Sequence, residues 1–130
     1  SNCLMKSILV IEDDIIMCNI LQLILKKQGY IVSIAQNGQE ALSLLKKGHF
    51  DLIVTDLMLP FANGLELVSK LKASASQNKI PVIILSAVTD ERTVREAFDL
   101  GADDYLKKPF APSELVSRIH RLLTKQKITL

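Results

Sequence analysis

Tryptophan is absent from the 130 residues, which hold only two cysteines, four prolines and five glycines, with aromatics at 5%. Cys3 and Cys18 are too few for a disulfide scaffold, so a buried core must hold the fold and a reduced, intracellular setting is expected. There is no internal repeat and no low-complexity stretch. No apolar run approaches the roughly 20 residues that a membrane span needs. The first residues also lack the basic-then-apolar layout of a signal peptide. A cytoplasmic chain with no membrane partner is the expectation. Residue 1 is Ser rather than Met, so residues 1–5 read as a disordered N-terminus or a cloning scar, with Met5 a candidate start.

What is present fits one globular domain: 48% hydrophobic and 23% charged residues. A chain of this length buries roughly two-thirds of its unfolded surface, enough for a core without staples. The net charge of +2 conceals an asymmetry, because residues 107–130 carry Lys107, Lys108, Arg118, Arg121, Lys125 and Lys127 against Glu114 alone. Cations spread along an amphipathic segment read as a solvated helix face rather than a nucleic-acid surface. The domain is placed at 6–124, with 125–130 a tail or the start of a linker.

Short apolar runs alternate with longer amphipathic ones. Ser7–Ile11, Leu52–Thr55 and Val82–Leu85 are rich in β-branched residues without in/out alternation, as strands covered on both faces should be. Tyr30–Ile34 and Asp104–Leu106 complete the set. Between them, Asp14–Gln28, Gly38–Lys47, Gly64–Ala73, Asp90–Leu100 and Pro112–Thr124 carry apolar residues at helical spacing, such as Leu115, Ile119 and Leu122. Asn37 with Glu40, and Asn63 with Glu66, predict capping boxes. Gly29, Gly48 and Gly101 stand at helix ends, where a left-handed residue closes the helix, and Pro112 suits a first helical turn. Five βα units predict an α/β fold, a doubly wound five-stranded parallel sheet flanked by five helices.

In such sheets ligands bind at the carboxyl ends of the strands, beside the reversal of strand order. Strand one runs into Glu12-Asp13-Asp14, strand three into Asp56, strand four into Ser86 and strand five into Lys107-Lys108-Pro109, whereas strand two ends in the bland Ala35-Gln36. Sharing one site makes strands one, three, four and five neighbours, which gives the order 2-1-3-4-5. Glu12, Asp13 and Asp56 converging there would repel one another unless a cation joined them. Oxygen-only ligands favour Mg2+, which keeps several waters and takes substrate phosphate into its shell. Asp56 is then the natural nucleophile, able to form an acyl phosphate. Lys108 and the Ser86 hydroxyl are placed to bind phosphoryl oxygens. The bland alternative is that Asp14 merely caps the first helix while Glu12 and Asp13 are solvated, and that Lys108 and Ser86 are ordinary surface and turn residues.

The runs Ile8–Asp14, Asp51–Pro60, Ile84–Ala87 and Gly101–Phe110 resemble the motifs of the response regulator receiver (CheY-like) domain of two-component phosphorelay signalling, over about Lys6 to Leu123. The resemblance implies that Asp56 is the phosphoacceptor and belongs to the Mg2+ site, that Asp13 binds Mg2+ directly, that Glu12 acts largely through water, and that the Met58 backbone carbonyl is a further ligand. It makes Lys108 the lysine that contacts the phosphoryl group, with a cis bond to Pro109, and Ser86 and Tyr105 the switch pair. Phosphorylation would draw in the loop after strand four, let Tyr105 turn inward and reshape the face of helix four, strand five and helix five. The opposite expectation for Tyr105 is a half-buried strand aromatic with its hydroxyl in water. Asn63 and Ser86 stand where Asp and Thr are commoner in the family, yet Asn still caps a helix and Ser still supplies a hydroxyl.

Other classes fit less well. A haloacid-dehalogenase-type phosphatase needs a second acid two residues after the nucleophile, where this chain has Met58. A flavodoxin-like carrier needs a phosphate loop where Glu12-Asp13-Asp14 stand, and no Gly-x-x-x-x-Gly-Lys-Ser/Thr pattern occurs. Met58 and Val88, apolar residues beside the path of an attacking water, predict slow loss of the phosphoryl group. The implied partners are a sensor histidine kinase or phosphotransfer protein and, through Asp104 and Arg118, a phosphorylation-dependent homodimer. Nucleic acid enters only through a downstream output domain. The chain reads as the receiver of a longer regulator, or alternatively of a hybrid histidine kinase or a stand-alone regulator, with intrinsic phosphorylation and dephosphorylation chemistry but no classical enzymatic activity.

Overall fold

The structure, a computed structural model, describes residues 5–60 and 62–125. Residues 1–4 of the expected N-terminal extension and 126–130 of the expected tail lie outside that range, whereas Lys125, expected to begin the tail, is the last residue of the final helix. Along the chain run β1 (Ser7–Ile11), α1 (Ile15–Lys27), β2 (Ile31–Ala35), α2 (Gly38–Lys47), β3 (Leu52–Thr55), the two-residue strands β4 (Met58–Leu59) and β5 (Ala62–Asn63), α3 (Gly64–Ala73), β6 (Val82–Ser86), α4 (Glu91–Asp99), β7 (Asp104–Lys107) and α5 (Pro112–Lys125). The main sheet is parallel in the order β2-β1-β3-β6-β7. Counted over its own five strands this is 2-1-3-4-5. The short β4 and β5, an antiparallel pair just after Asp56, were not expected from the sequence.

Alternation along buried strands divides the core in two. Leu9, Ile11, Ile53, Val82 and Ile84 face Ala41, Leu45, Leu67, Val68, Leu71 and Ala97 on the side of α2, α3 and α4. Ile8, Val10, Leu52, Val54, Ile83, Leu85 and Leu106 face Leu21, Leu25, Leu115, Ile119, Leu122 and Leu123 of α1 and α5. Both faces of β1, β3 and β6 are thus covered, which is why their sequences show continuous apolar runs.

Most element ends fall within a residue of the expected ones, and the caps explain the differences. Asp14 caps α1, accepting from the Ile16 amide at 3.0 Å, and Asp90 caps α4, accepting from the Thr93 amide. The boxes are altered in detail. Asn37 accepts from the Glu40 amide, but the Glu40 carboxylate returns to the Gln36 amide rather than to Asn37. Asn63 accepts from the Leu65 amide instead of closing a box with Glu66. Gly29 (φ 89) and Gly101 (φ 112) take the left-handed conformation. Gly48 does not: at φ −143 and ψ 172 it is extended, and α2 closes through its amide on the Leu44 carbonyl.

Candidate functional site

The carboxyl edge of the sheet collects the expected residues. Glu12 leaves β1 with 3% exposure, Asp56 leaves β3 with 7%, and Ser86 ends β6 fully buried. Lys108 follows β7 and its backbone amide donates to the Ser86 carbonyl. Its ammonium bridges the two acids, donating to Glu12 Oε1 at 2.6 Å and to Asp56 Oδ2 at 2.8 Å. The other Asp56 oxygen accepts from the Met58 amide at 3.0 Å, and the second Glu12 oxygen accepts from the Asp14 amide. The Lys108–Pro109 bond is cis.

The titration behaviour of the edge follows from this geometry. Burial pushes the Glu12 pKa up, and the hydrogen bonds from Lys108 and the Asp14 amide only partly oppose it. Burial also acts against the charge of Lys108, but the Asp56 and Glu12 carboxylates outweigh it and hold the ammonium above the ordinary lysine value. Cys18, whose thiol donates to the Glu12 carbonyl, is raised by burial and then by the neighbouring acids, which makes it an unreactive core thiol.

Two of the three expected carboxylates meet, and they meet on an ammonium. Asp13 is exposed and lines a groove with Leu57, Met58, Leu59, Pro60 and Asn63. Among the described residues no group of three or more His, Cys, Asp or Glu side chains is arranged to hold a metal. Lys108 stands between Glu12 and Asp56 and offsets their charge, while Asp13 lies exposed in the neighbouring groove. The donors still fit magnesium in kind. All are hard oxygens at one strand edge, and Asp13 and Met58 share the groove beside Asp56.

Ser86 and Tyr105, expected to form a switch pair, are connected through one residue. Ser86 Oγ accepts from the Val88 amide at 3.2 Å, and the Tyr105 hydroxyl donates to the Val88 carbonyl. Tyr105 is half-buried with its hydroxyl engaged by the β6–α4 loop, not left in water. Burial raises its pKa, with the Ser86 hydroxyl pulling the other way. Sequence reasoning named Val88 for its apolar side chain and missed the role of its backbone. Asp104 and Arg118 are also brought together, but within one chain, at 2.8 Å. At the opposite edge, Asp103 accepts from Lys72 and from the Val82 amide, a contact that nothing in the sequence signalled.

Fold and edge together define the class, a CheY-like receiver, which is a signalling switch rather than an ordinary enzyme. The sequence profile of the response regulator receiver domain matches residues 8–120. A probable transcriptional regulator, ycf29, of Pyropia yezoensis is 42% identical over 118 residues, covering 91% of this chain and 53% of the relative. Response regulator SaeR of Staphylococcus aureus is 42% identical over 123 residues, covering 95% and 53%. The chain therefore spans about half the length of these relatives. Among solved structures, the signal receiver domain of a signal transduction histidine kinase from Syntrophus aciditrophicus superposes with a TM-score of 0.88 at 35% identity, covering 96% of this chain and 95% of that one. The receiver domain of a sensor histidine kinase from Pseudomonas aeruginosa, with a magnesium ion coordinated in its active site cleft, superposes at 0.85 with 26% identity, covering 92% and 98%. The chain belongs to the response regulator receiver family of two-component signalling.

Proposed function

We propose that the chain is a phosphorylation-activated switch in which Asp56 takes a phosphoryl group from the phosphohistidine of a sensor histidine kinase or phosphotransfer protein. The supporting observation is the sheltered Asp56 carboxylate at the end of β3, with Oδ2 2.8 Å from Lys108 Nζ. An Asp56 oxygen bonds to phosphorus as the P–N bond breaks, and the imidazole nitrogen leaves with the electron pair and is protonated. Lys108, shared at the start with Glu12, follows the charge onto the phosphoryl oxygens, and the Ser86 hydroxyl donates to one of them. Asp13, Asp56 and the Met58 carbonyl would hold magnesium directly and Glu12 through water, and the bound ion would neutralise charge on the transferring group.

Treated with acetyl phosphate and magnesium, the protein is expected to gain one phosphoryl mass, and chelation of magnesium or Asp56→Asn is expected to abolish the gain. A gain of equal rate in Asp56→Asn would overturn the assignment.

The length of the curated relatives supports a receiver that is part of a longer regulator, with any DNA contact made by a separate output domain. The likeness to a histidine kinase receiver supports the alternative of a hybrid kinase. The reading implies a cytoplasmic location; among the described residues no helix is long and apolar enough to cross a membrane. A two-fold homodimer on the α4–β7–α5 face is the remaining part of the proposal, with the exposed Arg92, Arg95 and Glu96 available to it. Asp104, already held by arginines of its own chain, joins such a dimer only by exchanging them.

A further inference from the structure

Helix α1 is apolar on two sides. Its inner side buries Cys18, Leu21 and Leu25, as an amphipathic helix packed on a sheet requires. Its outer side should be polar, yet Ile16 is 71% exposed, Ile20 41% and Leu23 72%. Ile15 is exposed as well, so four of the eight large apolar residues exposed among the described ones lie on this helix. Exposed apolar residues scattered singly need no explanation, but a contiguous row marks a contact surface. Leu23 and Lys27 also line a groove against Pro112 and Val116 of α5.

The two ends of the row carry opposite charge. Ile16, Ile20, Leu23 and Lys27 follow the spacing of one helix face, so Lys27 continues the row, with Lys26 beside it, and both lysines are exposed. At the other end the exposed Asp13 stands just ahead of the helix, one turn before Ile16. The order along α1 is thus acid, three apolar side chains, base. Running a second row in the opposite direction sets apolar on apolar and acid on base at both ends, which is the self-complementarity that a two-fold contact requires.

We propose that this row is a contact between two copies of the chain, with the two α1 helices packed antiparallel about a two-fold axis near Ile20. Ile20 then meets Ile20, Ile16 meets Leu23 of the second copy beside the groove to α5, and Asp13 meets Lys27 of the second copy. The last two contacts each occur twice. A parallel arrangement would put acid on acid and base on base, so the charges select the antiparallel one. The contact needs no phosphoryl group and leaves the α4–β7–α5 face free, which separates it from the phosphorylation-dependent pairing proposed above.

Sedimentation velocity of the unphosphorylated chain tests the contact, run without magnesium so that Asp13 is free of the ion that the proposed function assigns to it. A reversible monomer–dimer equilibrium is expected. Leu23→Gln, Lys27→Asp and Asp13→Lys, all at exposed positions, are each expected to raise the dissociation constant about tenfold, because a two-fold contact counts every change twice. Mixing Lys27→Asp with Asp13→Lys restores acid on base at both ends of the mixed pair, and a heterodimer of about wild-type strength is expected. A wild-type chain that stays monomeric up to about 1 mM, where even weak association registers, overturns the inference and assigns the row to a helix of another protein. A dimer indifferent to Leu23→Gln and Lys27→Asp overturns it too, as does a mixture of the two charge variants that recovers no association. None of these outcomes touches the phosphoacceptor reading, which the mass gain tests separately.

Discussion

Lys108 decides the electrostatics of the site. With Glu12 at 2.6 Å and Asp56 at 2.8 Å, its ammonium stands between two sheltered acids that would otherwise face each other. Its pKa is raised above 10.5, so the folded chain holds this proton more tightly than the unfolded chain. The stability it contributes is present in full below 10.5 and is lost as pH rises through its folded value. Lys108→Met is therefore expected to be less stable at neutral pH and to lose stability less steeply than the wild type on the alkaline side of 10.5, read from denaturant midpoints. Val88 tests a second residue-scale idea, that apolar side chains slow hydrolysis of the acyl phosphate. Val88→Asn leaves the backbone bonds to Ser86 and Tyr105 available and should shorten the phosphoryl half-life. A half-life as long as the wild type's would mean that water enters by another path. At this scale Glu12, Asp56, Ser86 and Lys108 were legible, because each ends or follows an apolar run that must be a buried strand. The Lys108 bridge between Glu12 and Asp56 and the Tyr105–Val88 bond were not, since both depend on how loops settle after the strands are placed.

Helix starts and the approach of α3 to β3 govern the elements. A Cβ built on Gly64 would lie 2.5 Å from Leu57 Cα and 2.7 Å from its carbonyl oxygen, a clash with backbone that no side-chain rotation relieves. Gly64→Ala must push α3 away from the residue that follows Asp56. A loss of roughly 1–3 kcal/mol, the usual range for overpacking, is expected together with slower phosphorylation, measured by chemical denaturation and by mass gain. Asn37→Ala removes the acceptor for the Glu40 amide and is expected to cost about 1 kcal/mol without altering phosphorylation, since α2 supplies none of the residues around Asp56. Element positions were legible because caps and periodicity agree in most of them. The pair β4 and β5 was not, because two residues per strand leave no periodicity to read, and Gly48 shows that a glycine after a helix signals an end without specifying its conformation.

Over the whole molecule, the strand order follows from grouping the chemically loaded strand ends, and the sheet obeys it. The pairing of Asp104 with Arg118 lay beyond such reasoning, because a sequence places both on one face without saying whether they meet within a chain or between chains. Sedimentation velocity with and without beryllium fluoride and magnesium addresses the assembly. The phosphoryl mimic is expected to favour a dimer, and a chain that stays monomeric at high concentration in both states would point to a heterologous partner such as a phosphotransfer protein. The central claim is the acyl phosphate on Asp56, and borohydride trapping tests it most directly. Reduction of the acyl phosphate converts the residue that carries it to homoserine, which peptide mass mapping locates. The account predicts homoserine at position 56 and nowhere else, dependent on magnesium, whereas homoserine at Asp13 or at any other acid, or none in a chain that has gained phosphoryl mass, would contradict it.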